Sequence, residues 1–97
     1  MSNIRMSPET MRSRAGEFQR DASEFQELVN KMQSRTNALA DEWEGQASQK
    51  YIQQFSELKP GFDKVHELME TISQQLNQTA QIMEDTDREI ASKLGVQ

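Results

Sequence analysis

The chain contains no cysteine, so disulfides and thiolate metal sites are both excluded. Four glycines in 97 residues are too sparse for a phosphate-cradling loop. One histidine, with no loops to position a triad, gives no Ser/His/Asp constellation. No apolar run exceeds three residues, which rules out a transmembrane helix and the core of a cleavable signal peptide. Hydrophobic residues are few as well, at 34 %, below the usual globular level. Basic residues number 11 against 16 acidic ones, a net charge of −5. A negative surface repels phosphate backbones and anionic lipids, so no nucleic-acid partner is expected. Arg5, Arg12, Arg14 and Arg20 interleave with Glu9, Glu17, Asp21 and Glu24, the pattern of an ordinary solvated helix face.

His66 beside Asp63, Glu67 and Glu70 is the one cluster resembling metal ligands. Zinc needs at least three ligands, and a second subunit would have to supply one, so the preferred reading is a surface histidine beside an ion-pairing glutamate. Paired carboxylates abound on exposed faces, but nothing separates their acidities. No enzyme activity, cofactor or metal is expected.

What the chain does have is heptad spacing. Met11, Ala15, Phe18, Ala22, Phe25, Val29, Met32, Thr36 and Leu39 alternate four and three apart. Tyr51, Phe55, Leu58, Phe62, Val65, Met69, Ile72, Leu76, Thr79, Met83, Thr86 and Ile90 repeat the pattern. Each set lines one helical face, as in a coiled-coil seam. Between them lies Trp43-Glu44-Gly45, with the only tryptophan. A glycine there can take the left-handed conformation that ends a helix. The expectation is an all-α, antiparallel helix-turn-helix hairpin forming one domain over 1–97.

Ser7-Pro8-Glu9 is a good helix start, with a capping hydroxyl, proline in the first turn and an acid at the positive dipole end. Residues 1–6 read as an irregular arm. The first helix is expected over about 8–41, the turn over 42–46 and the second helix over about 47–93. Pro60-Gly61 interrupts the second helix, yet the heptad keeps phase across it. A kink inside one helix is therefore preferred to a break. At 1.5 Å per residue the helices span roughly 50 and roughly 70 Å, so a tail of about 81–97 should overhang the hairpin.

A chain this small, without disulfide or metal, needs another source of stability, and self-association is the remaining one. Leu28, Ile52, Leu68 and Ile82 widen the apolar stripes beyond what one two-helix seam requires. Two hairpins across a twofold axis would give an elongated four-helix bundle. The dimer and core seam is assigned to Phe18, Phe25, Val29, Met32, Leu39, Tyr51, Phe55, Leu58, Phe62, Val65, Met69, Ile72 and Leu76.

The overhang carries Met83, Asp87, Ile90 and Leu94, spaced four, three, four. This short face, apolar but for one acid, suits a hydrophobic groove with a basic or amide partner. The alternative is that Asp87 marks a fraying helix end. Trp43 likewise has two readings, a large residue filling the hairpin end or a recognition residue.

The short, cysteine-free chain, its Ser7-Pro8-Glu9 opening, the central Trp43-Glu44-Gly45 and the tail pattern together resemble the WXG family. These are small helical hairpins, early secreted antigenic target-like, exported by the ESX or type VII secretion machinery of Gram-positive bacteria and mycobacteria. The resemblance covers nearly the whole chain. It implies dimerisation with itself or a related WXG protein, a cytoplasmic stage, and export without a cleavable signal peptide through an FtsK/SpoIIIE-type ATPase. A larger co-secreted effector is a further implied partner. The family's bipartite export signal falls here on Trp43 and Gly45 together with Met83, Asp87, Ile90 and Leu94. Many members carry Tyr at the first tail position, where this chain has Met83. In an antiparallel dimer the turn of one hairpin lies near the tail of the other, giving one composite surface. The implied function is a secreted substrate and co-secretion factor. The alternatives are a cytosolic adaptor or chaperone for a longer helical effector, and a membrane-active virulence factor.

Overall fold

The computed structural model describes residues 7–42 and 45–95. It contains two helices, α1 over Pro8–Glu42 and α2 over Gln46–Lys93, and no strand among the described residues. The expected arm at 1–6, and Trp43 and Glu44 of the turn, lie outside the described residues. Ser7 begins α1 in two ways. Its Oγ accepts the Thr10 N–H at 3.1 Å, and its carbonyl accepts the Met11 N–H at 3.0 Å. One otherwise unpaired donor of the first turn is thereby satisfied.

Gly45, with φ +137°, sits where the chain enters α2. A side chain added there would meet nothing within 4 Å, so it is the backbone conformation and not crowding that selects glycine. The Ser48 hydroxyl donates to the Gly45 carbonyl at 2.9 Å. Pro60 lies inside α2, which continues through it. Past the end of α2, Gly95 takes φ +71° and donates to the Ser92 carbonyl at 3.1 Å, a glycine-terminated helix end.

The chain divides into two compact units. The turn unit, Asp21–Met69, packs the second part of α1 against the first part of α2. Its buried residues are Ala22 and Val29 from α1, with Ser48 and Phe55 from α2. Phe62 meets Phe25 edge to face, ring centres 6.3 Å apart, and meets Phe55 at 5.9 Å. The Phe25–Phe62 geometry sets the negative face of one ring against the positive edge of the other. The terminal unit joins the first part of α1 to Glu70–Gln97. There Ala15, Ser73 and Ala80 are buried, and the Ser73 hydroxyl donates to the Ala15 carbonyl at 2.8 Å. This cross-helix bond requires the two backbones to lie close together.

On α1 the expected seam and the buried face coincide. Ala15, Ala22 and Val29 are buried, while Met11, Phe18, Phe25, Met32 and Leu39 are half-buried. On α2 they coincide only in part. Phe55 is buried, and Phe62, Met69, Ile72, Leu76 and Met83 are half-buried. Tyr51, Leu58 and Val65, by contrast, are exposed, Leu58 to 58 %. The places beside Phe55, Phe62 and Leu76 are taken instead by Ile52, Lys59 and His66 in the turn unit, and by Ser73 and Ala80 in the terminal unit.

A four–three stripe through 55, 62, 69 and 76 can be completed by 51, 58, 65 and 72 or by 52, 59, 66 and 73. Hydrophobicity favours the first set. The structure turns the second set inward, with Ile52, Lys59 and His66 half-buried and Ser73 buried against Ala15.

This choice gives the turn unit two unlike sides. Leu28 lies on the Phe25 and Met32 side of α1, and Tyr51, Leu58, Val65 and Leu68 lie on the same side of the antiparallel pair, all exposed. The opposite side carries Gln26–Asn30 and Gln33–Asn37 amide pairs, each 3.2 Å, and Lys59–Asp63 at 3.2 Å.

If close approach organises the hairpin, Ala22→Leu should cost about 1–3 kcal/mol through overpacking. Phe55→Ala, at a residue 8 % exposed, should cost about 3–5 kcal/mol. Urea titration followed by circular dichroism measures both. Wild-type stability for Ala22→Leu would show that the helices are not held close at that point.

Candidate functional site

Nothing in the described residues has the form of a catalytic centre. No three His, Asp or Glu side chains are grouped to hold a metal among them. His66 is half-buried and engaged rather than a free surface group. A hollow of about 410 Å³ lined by Gln54, Glu57 and Leu58 lies open on α2. Arg14 is held above its ordinary basicity by its hydrogen bond to Glu17 and by that residue's charge, an exposed local pair at 2.9 Å. No described helix is long and apolar enough to cross a membrane.

The tail is more informative. Arg12 of α1 reaches both Gln81, at 3.2 Å, and Glu84. Residues 81–84, where the overhang is expected to begin, are thereby tied to α1 through the Arg12 side chain. The residue-for-residue pairing about the turn holds, with Ala15 on Ser73 and Phe25 on Phe62, and the long Arg12 side chain reaches further along α2 to Gln81 and Glu84. Ala80 is buried and Met83 half-buried, so the first member of the tail motif belongs to the hairpin's own seam.

The other members are free of it. Asp87, Ile90 and Leu94 are exposed, Ile90 to 52 % and Leu94 to 72 %. They continue the row of Leu76, Ala80 and Met83 by the same four–three steps. They are seam positions with no α1 left to cover them, which explains why exposed residues keep core-like spacing.

Electrostatics single out Asp87 within this face. Glu84 pairs with Arg12, Asp85 pairs with Arg88 at 3.4 Å, and Glu89 pairs with Lys93 at 3.4 Å. Asp87 makes no hydrogen bond or ion pair among the described residues. The tail thus presents one uncommitted carboxylate between apolar side chains. Of the turn residues assigned to recognition, Gly45 is exposed, while Trp43 lies outside the described residues.

Sequence reasoning missed Arg12, Gln81 and Glu84 as a cluster, because a solvated-face pattern does not distinguish an arginine that spans to another helix. The cross-helix register alone could have found it.

A family model described as "Proteins of 100 residues with WXG" matches residues 3–88. Its span includes Trp43, Gly45, Met83 and Asp87, and stops short of Ile90 and Leu94. The chain is similar to "Type VII secretion system extracellular protein A" of Staphylococcus aureus strain USA300, 31 % identical over 97 residues and covering all of both chains. Among solved structures, EsxA of Geobacillus thermodenitrificans aligns with a TM-score of 0.83 at 37 % identity, covering 94 % of this chain and 98 % of that one. A secreted protein EsxB of Bacillus anthracis aligns with a TM-score of 0.81 at 30 % identity, covering 90 % and 97 %.

Asp87→Asn should change unfolding free energy by less than about 0.5 kcal/mol, as for surface sites away from structural features. Ser73→Ala should cost about 1 kcal/mol through its lost cross-helix bond. Urea midpoints compare them directly. A large loss from Asp87→Asn would make the tail acid structural.

Proposed function

The chain belongs to the WXG100 family, and from that membership we propose that it is a substrate of a type VII secretion system, exported folded and read through its tail. The observation that carries this reading is the uncovered seam at the end of α2. Ile90 and Leu94 are apolar, exposed and in register with the hairpin core, and Asp87 stands unpaired on the same face. Apolar surface of this kind serves docking better than solubility, and one charge within it supplies register and selectivity. The natural reader is the membrane-bound, FtsK/SpoIIIE-type ATPase of the export machinery, met from the cytoplasm. Trp43-Glu44-Gly45 would supply the second part of the signal. The extracellular names of the relatives support the destination, and a companion effector is consistent with co-secretion.

The exported form is a dimer. Its support is the row of Leu28, Tyr51, Leu58, Val65 and Leu68, an exposed apolar side opposite one that carries amide and ion pairs. A second copy laid on that side would complete a four-helix bundle, each hairpin burying the same patch. Burial of apolar area at about 25 cal/mol per Å² is the large stabilising term open to so small a chain. In an antiparallel arrangement the turn of one subunit would approach the tail of the other, so the composite signal would exist only in the assembled dimer.

Leu58→Glu combined with Leu68→Glu should yield monomers in sedimentation equilibrium at micromolar concentration. An unchanged dimer would exclude that face as the interface. Asp87→Ala and Ile90→Ala should leave the dimer intact while the protein accumulates inside cells, compared with and without the export ATPase. Trp43→Ala should impair export more than it impairs helicity. Normal export of both tail variants would reduce the tail to a bare helix end, and would leave the turn as the candidate signal.

A further inference from the structure

We infer that Arg12 is a positioning residue for the tail, committing the neighbouring polar groups to fixed partners so that Asp87 is the single unpaired carboxylate that the described tail residues offer to a reader. The inference rests on the export reading of the same surface.

Arg12 lies in the second turn of α1 and is half-buried. From one nitrogen, Nη2, it donates to Gln81 Oε1 at 3.2 Å and pairs with Glu84 Oε1. Because the Gln81 oxygen is turned toward Arg12, its amide nitrogen is turned along the tail, donating to Asp85 Oδ1 at 3.1 Å. Asp85 also receives Arg88 at 3.4 Å. A chain of contacts thus leads from α1 through Gln81 and Asp85 to Arg88, with Glu84 neutralised beside it.

Glu84 stands three residues before Asp87, close enough on a helix for its charge to be felt there. If Arg12 is lost, Glu84 becomes a second free acid near Asp87. Arg88, four residues beyond Glu84, then gains a competitor for its pairing with Asp85. A reader would meet two carboxylates and a displaced cation in place of one carboxylate. The Arg12 and Glu84 side chains are each 38 % exposed, so solvent screening makes the pair a weak source of stability. Its effect falls on charge placement.

The test uses the full-length protein in a secreting strain, with Arg12→Gln, Arg12→Glu and the exchange Arg12→Glu/Glu84→Arg beside Asp87→Ala. Secretion is read from washed culture supernatant, dimerisation by light scattering, and order in 81–93 by hydrogen exchange. Arg12→Glu should lower secretion by about tenfold or more, the scale of a misplaced like charge at a docking surface. Arg12→Gln should lower it less, and the exchange should restore most of it, with helicity and dimer unchanged throughout. Failure of the exchange to restore secretion would overturn the inference by making Arg12 itself the contact. Loss of the dimer or of helicity in both single variants would overturn it by making Arg12 structural. Normal secretion of Arg12→Glu while Asp87→Ala is blocked would overturn it alone and leave the export reading standing. Normal secretion of Asp87→Ala would remove the export reading of the tail and this inference with it.

Discussion

Two helices approach closely where both present small side chains, and the terminal unit of this chain depends on such a place, where Ser73 meets Ala15. Ala15 and Ala22 on α1 are fully enclosed, as are Ser48, Ser73 and Ala80 on α2. The Ser73–Ala15 hydrogen bond is the direct mark of contact between the helices in the terminal unit. With these positions inward, Tyr51, Leu58 and Val65 are rotated out of the contact although their spacing is that of a core. Their places beside Phe55 and Phe62 are held by Ile52, Lys59 and His66, which are half-buried.

The polar groups follow the same division. In the turn unit, amide and ion pairs line the side away from the exposed leucines. These solvent-facing contacts are individually weak. What they provide is contrast, because only the opposite side has apolar area left to bury. That asymmetry is the ground on which a second copy is proposed as the cover of the exposed row.

In the terminal unit the seam is shorter than α2. Where α1 ends, Leu76, Ala80 and Met83 still face it, and Asp87, Ile90 and Leu94 do not. One heptad therefore serves two purposes, core first and exposed face afterwards. The ion pairs around that face satisfy Glu84, Asp85 and Glu89 locally, which confers on Asp87 a distinction that sequence spacing alone does not.

The sequence by itself determined the two helices. Heptad spacing, the Ser7 cap and Gly45 are local or periodic signals, and each acts through backbone geometry within a few residues. It also determined the α1 face, where Ala15, Ala22 and Val29 allow one solution, and it marked Asp87, Ile90 and Leu94 by spacing. Only the tertiary structure decided which side of the α2 stripe turns inward, because hydrophobicity ranks Leu58 above Lys59 whereas the structure leaves Leu58 exposed and half-buries Lys59. Only it joined Arg12 to Gln81 and Glu84, about seventy positions away. Such register is a property of two surfaces meeting, and neither helix carries it alone.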